Sequence, residues 1–164
     1  MSAIEFDPVD EIGAGAFGVP GQRTFVIQAR KGEALLSVLV EKEQVRMLAA
    51  EAGQFLDRLD ADEPEETVAA AAPVVVADEP LFRARLIGIG YDPERRLVLL
   101  ELRESADDED DDVDAGYVAR LYATRPQVRA MARNGSAAVE SGRPNCPLCD
   151  FPMDPAGHTC PRLN

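Results

Sequence analysis

The chain has 164 residues, of which 46% are hydrophobic and 5% aromatic, and its net charge at pH 7 is −13. This length suits one domain with a core of aliphatic side chains, and no apolar run reaches the ~18 residues of a membrane span. Residues 1–10 also lack the basic and apolar regions of a signal peptide, so we expect a cytoplasmic protein. In a reducing compartment, three cysteines do not form a disulfide framework.

Most of the negative charge lies in two short stretches. Residues 57–66 carry six acids and one arginine, and residues 107–114 carry seven acids and no base. Such runs are usually solvated, so we predict two mobile surface loops. They also oppose binding to nucleic-acid phosphates, which depends on cationic side chains.

The first half of the chain is predicted to form strands followed by a helix. SAIEF near the N-terminus is a short strand, and TFVIQAR and ALLSVLVE form a hairpin around a glycine-containing turn. Apolar residues at intervals of three and four predict an amphipathic helix over 42–59. Residues 60–80, rich in proline, alanine and acid, are predicted to be a surface linker, with the valines at 74–76 packed on the body.

The second half repeats this order of elements. LFRARLIGIGYD and RRLVLLELRE predict a second hairpin across a proline-containing turn, and GYVARLYAT predicts a further strand. A helix is predicted over 126–140, with Pro126 in its first turn and Thr124 as its cap.

Together these elements predict an α+β fold in which helices cover one face of a mostly antiparallel sheet of about five to seven strands. We assign residues 1–142 to this domain and residues 143–164 to a zinc-knuckle tail packed on it. The order also fits a βββα unit present twice, an architecture that includes single-strand nucleic-acid binders. The two halves show no evident sequence period, so the duplication is the less favoured interpretation.

The sequence GAGAFG at 13–18 matches the pattern G-x-G-x-x-G. The dinucleotide-binding motif requires a helix directly afterwards, whereas Pro20, Gly21 and a predicted strand follow here. We interpret the segment as a turn or bulge that allows close backbone packing. The alternative is a ligand or partner surface comprising Gly13, Gly15, Phe17 and Gly18.

Several charged residues lie on the polar faces of the strands of the second half. The simpler interpretation is cross-strand ion pairs on a half-exposed sheet. The alternative is a surface for a phosphorylated small molecule, which would make the protein an enzyme or enzyme subunit. Its residues would be Arg83, Arg85, Arg103 and Arg120. Single-strand nucleic-acid binding is a second alternative, for which Tyr91, Tyr117 and Tyr122 are the few candidate stacking residues.

All three cysteines and the only histidine lie between residues 144 and 162. Cys146 and Cys149 form a C-x₂-C motif, and His158 and Cys160 follow as H-x-C. Two such pairs can close a tetrahedral Cys₃His set, which suits zinc. Four protein ligands leave no open coordination position, so we predict a structural site and assign no catalytic residue. A tail with idle thiols and a redox C-x₂-C are the alternatives, although redox motifs begin a helix beside a strand.

Three stretches of the chain resemble one known family. They are FDPVDEIGAGAFGVPGQRTFVIQARKG, SVLVEKEQV and GRPNCPLCDFPMDPAGHTCPR. The family is domain of unknown function 3090, from high-GC Gram-positive bacteria, and the resemblance covers nearly the whole chain. It implies a cytoplasmic protein with the Cys/His cluster as a family feature. Members tend to be encoded beside a histidine phosphatase-like and a kinase-like protein, which implies a protein partner but no established activity. We therefore expect a non-enzymatic binding or regulatory module.

Overall fold

The computed structural model describes residues 2–77, 79–105, 116–154 and 156–163. The acidic run at 107–114 lies outside the described residues. The described chain contains β1 (Ser2–Phe6), β2 (Glu11–Phe17), β3 (Thr24–Lys31), β4 (Ala34–Val40), α1 (Lys42–Asp62), β5 (Phe82–Arg83), β6 (Leu86–Asp92), β7 (Leu97–Arg103), β8 (Tyr117–Thr124) and α2 (Arg125–Glu140), and a short 3₁₀ helix follows at Pro161–Leu163.

The strands form two four-stranded sheets, with the orders β1-β8-β7-β6 and β2-β3-β4-β5. Neighbouring strands are antiparallel except β1 with β8 and β4 with β5, which are parallel. The predicted α+β class and mostly antiparallel pairing are confirmed. The expectation of a single sheet was wrong, because each three-stranded meander ends in its own helix and buries its own apolar face.

One hydrophobic core joins the two sheets and the two helices. Its fully buried members include Ile27 of β3, Leu56 of α1, Leu100 of β7 and Met131 of α2. Both predicted helices are confirmed, and α2 begins as expected, with the Thr124 hydroxyl accepting a hydrogen bond from the backbone N–H of the third helical residue. Within the described residues, no helix combines the length and apolar character that a membrane span requires.

The same structural unit occurs twice, as β2-β3-β4-α1 and as β6-β7-β8-α2. The two units also share their strand register. Gly13 lies opposite Gln28 across β2 and β3, and Gly88 lies opposite Glu101 at the equivalent position of β6 and β7. The duplication, which was the less favoured interpretation, is therefore present.

This register reveals a sequence repeat that the sequence analysis missed. The aligned pairs are EIGAGAF with LIGIGYD, FVIQAR with VLLELR, and EQVRMLA with PQVRAMA. The halves are therefore similar in sequence, although the expectation that they share no fixed period holds. A two-residue turn joins β3 to β4, whereas residues 104–116 separate β7 from β8, so no constant spacing relates the halves.

The strand that precedes each unit pairs with the other unit's sheet. β1 lies beside β8, with Phe6 opposite Leu121, and β5 lies beside β4, with Phe82 opposite Val38. Each unit therefore completes the sheet of the other, and neither sheet is complete without both halves of the chain.

Residues 72–75, here called the strap, cross the outer face of β2 and β3. The Gln28 side chain donates to the carbonyl oxygen of Val75 at 2.6 Å and accepts from its backbone N–H at 2.8 Å. A Cβ at Gly13 would lie 2.2 Å from the carbonyl oxygen of Ala72. The expected packing of the valine run on the body holds for the half-buried Val74 and for the backbone of Val75, whereas the Val76 side chain is 79% exposed. Residues 13–17 lie in a regular strand and only Gly18 lies in a turn, so the predicted turn or bulge was wrong for most of the segment, although its close backbone packing is confirmed.

The first acidic stretch is also more ordered than predicted. Helix α1 continues to Asp62. Asp60 accepts a hydrogen bond from Arg125 at 3.0 Å, and only 3% of the Arg125 surface is exposed. The expectation of a loop was wrong for residues 57–62, which are helical, while residues 63–66 lie outside any helix or strand and most acids of the stretch are exposed. A buried guanidinium requires carboxylate and carbonyl partners, which Asp60 and the residues after α1 provide.

Candidate metal centre

The four predicted ligand residues converge on one point. One ligand atom from each of Cys146, Cys149, His158 and Cys160 lies within 4.8 Å of the others. The Cys146 and Cys160 sulfurs are 3.9 Å apart, and the Cys149 sulfur is 3.3 Å from Nε2 of His158. The ligand cluster expected from the sequence thus fits a four-coordinate metal site.

A tight turn brings the first two cysteines onto one side of the chain. The backbone N–H of Asp150 donates to the carbonyl oxygen of Cys146 at 2.8 Å, and the N–H of Cys146 donates to the carbonyl oxygen of Phe151 at 2.8 Å. Asp150 has φ 62°, in the left-handed region that aspartate tolerates better than most residues. The turn therefore reverses the chain directly after Cys149.

A second reversal returns the chain for the remaining ligands. The backbone N–H of Met153 donates to the carbonyl oxygen of Pro144 at 2.8 Å, which joins the two arms of the segment. Gly157, with φ 131°, then turns the chain just before His158. Glycine suits this position because side chains disfavour such a backbone conformation.

The local electrostatics favour a thiolate at the first ligand. The backbone N–H groups of Leu148 and Cys149 point at the Cys146 sulfur and lower the pKa of Cys146 to about 6. Burial raises the pKa of Cys149. A metal ion must therefore displace a proton at Cys149, whereas Cys146 already favours the ligating form. Four protein ligands fill a tetrahedral set, which is typical of structural sites.

The metal-binding segment (residues 143–163) rests on the turn between β2 and β3. Arg143 donates to the Asp154 carboxylate at 3.0 Å. A Cβ at Gly21, in that turn, would lie 3.2 Å from both Arg143 Cδ and Asp154 Oδ1. The segment leaves Leu148 48% exposed and Phe151 60% exposed. Its large apolar side chains thus do not form a core of their own.

The predicted glycine-rich surface is partly occupied by the chain itself. A Cβ at Gly13 would collide with Ala72, and a Cβ at Gly15 would lie 2.8 Å from the Val74 side chain. Phe17 ends β2 half-buried. Gly18 begins the following turn with φ 101°. Binding of an external ligand or partner at these residues stays a prediction.

The structure separates the predicted arginine residues. Arg103 and Arg120 both donate to the Glu101 carboxylate, at 2.6 and 2.9 Å. Burial opposes ionisation of Glu101, but these two guanidinium groups outweigh it and lower the pKa of Glu101. Arg83 lies in the other sheet and pairs with Glu41. Arg85 follows β5, where its backbone N–H bonds the carbonyl oxygen of residue 103.

The tyrosines do not form a stacking platform either. Tyr91 packs against the core, and Tyr117 stacks on Phe82 with ring centroids 5.8 Å apart. Tyr122 holds the Arg95 guanidinium over its ring at 5.1 Å. No two of the three tyrosines stack on one another among the described residues.

A basic pocket that no sequence pattern predicted lies beside the metal-binding segment. The pocket has a volume of about 400 Å³ and contains four cationic side chains, those of Arg23, Lys42, Arg83 and Arg143. These residues are distant in sequence and come from the β2–β3 turn, the start of α1, β5 and the start of the metal-binding segment. Only Arg83 was among the predicted site residues, because no local motif joins the others.

Fold and site together define a duplicated α+β protein with a C-terminal Cys₃His cluster that fits a metal site. The chain belongs to the family described as Protein of unknown function (DUF3090), whose model matches residues 4–160. The resemblance found in the sequence is confirmed, and the match includes all four ligands of the cluster. No curated protein and no solved structure matches the chain.

Proposed function

We propose that the Cys₃His cluster binds one zinc ion. Zinc lies about 2.3 Å from thiolate sulfur and about 2.0 Å from imidazole nitrogen, so a tetrahedral site separates two sulfurs by about 3.8 Å and sulfur from nitrogen by about 3.5 Å. The corresponding distances here are 3.9 and 3.3 Å. A mixed thiolate and imidazole set is also the ligand chemistry that zinc prefers.

The zinc ion has a structural role in this proposal, and the protein is a cytoplasmic, non-enzymatic binding or regulatory module. The observation that carries it is the outward display of Leu148 and Phe151 on the turn that the metal would hold. Exposed apolar side chains on a rigid support are typical of protein-binding surfaces. The partner is a protein, and the phosphatase-like and kinase-like proteins encoded beside family members are the first candidates.

Native mass spectrometry tests the metal. Reduced, zinc-replete protein should carry one zinc ion per chain, and Cys149→Ser should lose it because three remaining ligands leave an incomplete tetrahedron. Asp150→Asn is a matched control that alters the same turn without removing a ligand, and it should retain zinc. A zinc-free wild-type protein under these conditions would contradict the proposal.

Co-purification from a native extract tests the binding role. A variant carrying Leu148→Ser and Phe151→Ser should retain zinc but lose the partner, whereas Val68→Ser, which removes another exposed apolar side chain, should keep it. Both candidate partners can then be purified and tested directly. If the double variant captures the partner as well as the wild type does, the exposed turn is not the binding surface.

A further inference from the structure

The basic pocket is unusual in a protein of net charge −13. Four of the 17 lysine and arginine residues of the chain line it, together with a single carboxylate, that of Glu41. Apolar walls come from Phe25, Leu39 and Val40. The pocket is therefore a local region of positive potential on an acidic molecule, and converging charges in a concave site raise the local concentration of anions.

Two of the four cations have no carboxylate partner within the part of the chain that the structure describes. Arg23 donates to the carbonyl oxygen of Ala138 at 2.6 Å and to the Ser141 hydroxyl at 3.1 Å, at the end of α2. A Cβ at Gly142 would lie 3.0 Å from Nη2 of Arg23 and 3.2 Å from Nζ of Lys42. The two cationic groups thus approach the same point without an anion between them.

The equivalent place in the second unit provides an internal comparison. Arg23 directly precedes β3, as Arg96 directly precedes β7, and Lys42 begins α1, as Arg125 begins α2. The second pair of cations is neutralised within the chain, since Arg96 Nε lies 3.1 Å from a Glu63 carboxylate oxygen.

The acids that neutralise this second pair come from the end of α1 and the residues after it. Arg125 lies 3.0 Å from Asp60 and 3.7 Å from Glu65. At the corresponding end of α2, the chain instead continues through Gly142 to Arg143. The two equivalent cations thus have carboxylate partners in the second unit, whereas in the first unit they have none among the described residues.

Lys42 also occupies an unfavourable position for a lysine. It is the first residue of α1, where the partial positive charge of the helix terminus repels a cation. Among the described residues no carboxylate lies within ion-pair distance of Lys42, although Glu41 precedes it and Glu43 follows it at this terminus. An anion bound in the pocket would interact with both the lysine and the helix terminus.

We propose that this pocket binds the phosphate group of a small molecule. Guanidinium and ammonium groups that converge from several directions match the charge and the several acceptor oxygens of a phosphate. The volume of about 400 Å³ leaves room for an organic moiety beside Leu39, which is half-buried in the pocket wall. This binding site goes beyond the proposed zinc-supported protein contact and is independent of it.

The test is calorimetric titration of the full, metal-loaded chain with inorganic pyrophosphate in a buffer of low ionic strength. We expect saturable binding of one pyrophosphate per chain. Lys42→Gln and Arg143→Gln should each weaken binding by about tenfold or more, as expected for a lost charge-assisted hydrogen bond, and Lys42→Arg should preserve it. Arg46→Gln is the matched control, because it removes one positive charge from the same helix outside the pocket.

Weaker binding by Lys42→Gln would not come from unfolding of the variant. The substitution removes an unfavourable interaction between a cation and the helix terminus, so it should not lower the melting temperature. Equal weakening in Arg46→Gln would show general charge attraction and overturn the site. Absence of saturable binding would overturn it as well. Citrate serves as a carboxylate probe, and citrate binding as tight as that of pyrophosphate would overturn the assignment to phosphate.

Discussion

The strap gives the sharpest test of the fold, through a glycine present in both units. We predict that Gly13→Ala destabilises the protein, whereas Gly88→Ala does not. A Cβ at Gly13 would lie 2.2 Å from the Ala72 carbonyl oxygen, and a Cβ at Gly88 meets no atom within 4 Å. The two glycines occupy equivalent positions of β2 and β6, so the backbone preference of alanine is the same at both.

The size of the effect follows from what the strap would lose. Gly13→Ala must push it outward by about 1 Å, because non-bonded carbon and oxygen atoms do not approach more closely than ~3.2 Å. The two hydrogen bonds between Gln28 and Val75 would then weaken, at about 1 kcal/mol each, and leave the buried Gln28 amide short of partners. Alanine also has fewer backbone conformations than glycine in the unfolded chain, and this stabilises the folded state by about 0.4–1 kcal/mol and offsets part of the loss. We expect a net loss of about 2–3 kcal/mol.

Urea denaturation and thermal melting of the two variants measure this difference. For a chain of this size, about 2–3 kcal/mol corresponds to a melting temperature roughly 4–12 °C below that of the wild type. Gly88→Ala should melt at or slightly above the wild-type temperature. If both variants melt together, the strap does not rest on Gly13, and the account of the outer face of this sheet is wrong.

Three further predictions concern ion pairs and the metal. Arg125→Met should cost about 2–4 kcal/mol in urea denaturation, because it leaves acceptors at the end of α1 without their buried donor. In the folded protein, the hydrogen bond from Arg95 lowers the pKa of the Asp7 carboxyl below its value in the unfolded chain. The stabilisation from this pair is therefore fully present above the unfolded pKa and is lost as the pH falls through the folded pKa. Asp7→Asn should therefore lose less stability than the wild type on acidification, measured by urea denaturation at pH 5 and pH 3. Removal of the metal with a chelator should accelerate amide hydrogen exchange in residues 143–163 and leave exchange at Ile27, in the core, nearly unchanged. Equal acceleration in the segment and at Ile27 would show that the α+β domain also depends on the metal.

Local patterns in the sequence predicted much of the secondary structure and the metal ligands. The hairpins follow from alternating apolar residues around short turns, and α2 follows from Thr124 and Pro126 at its start. The four ligands lie within fifteen positions, so their convergence depends on two tight turns and not on the rest of the fold. Each of these features is encoded by residues close to one another in the chain.

The features that were missed depend on contacts between distant residues. Each of the two sheets is completed by β1 or β5, which pairs with the other unit's last strand, and no local pattern specifies that pairing. The acidic stretch at 57–66 has the composition of a solvated loop, yet Asp60 pairs with a buried arginine 65 positions away. Charge composition alone could not reveal that partner.

The two units differ most where their surfaces are available to other molecules. On the outer face of one sheet the strap covers Gly13, while the equivalent Gly88 is open. At the helix ends, acids following α1 neutralise the cations beside them, whereas α2 leads through Arg143 into the metal-binding segment. The fold itself requires only the shared core and the shared strand register, both of which the two units retain. The proposed zinc site, the exposed apolar turn and the basic pocket all lie at the end of α2, where the second unit departs from the first, so this end of the molecule is where binding should be sought.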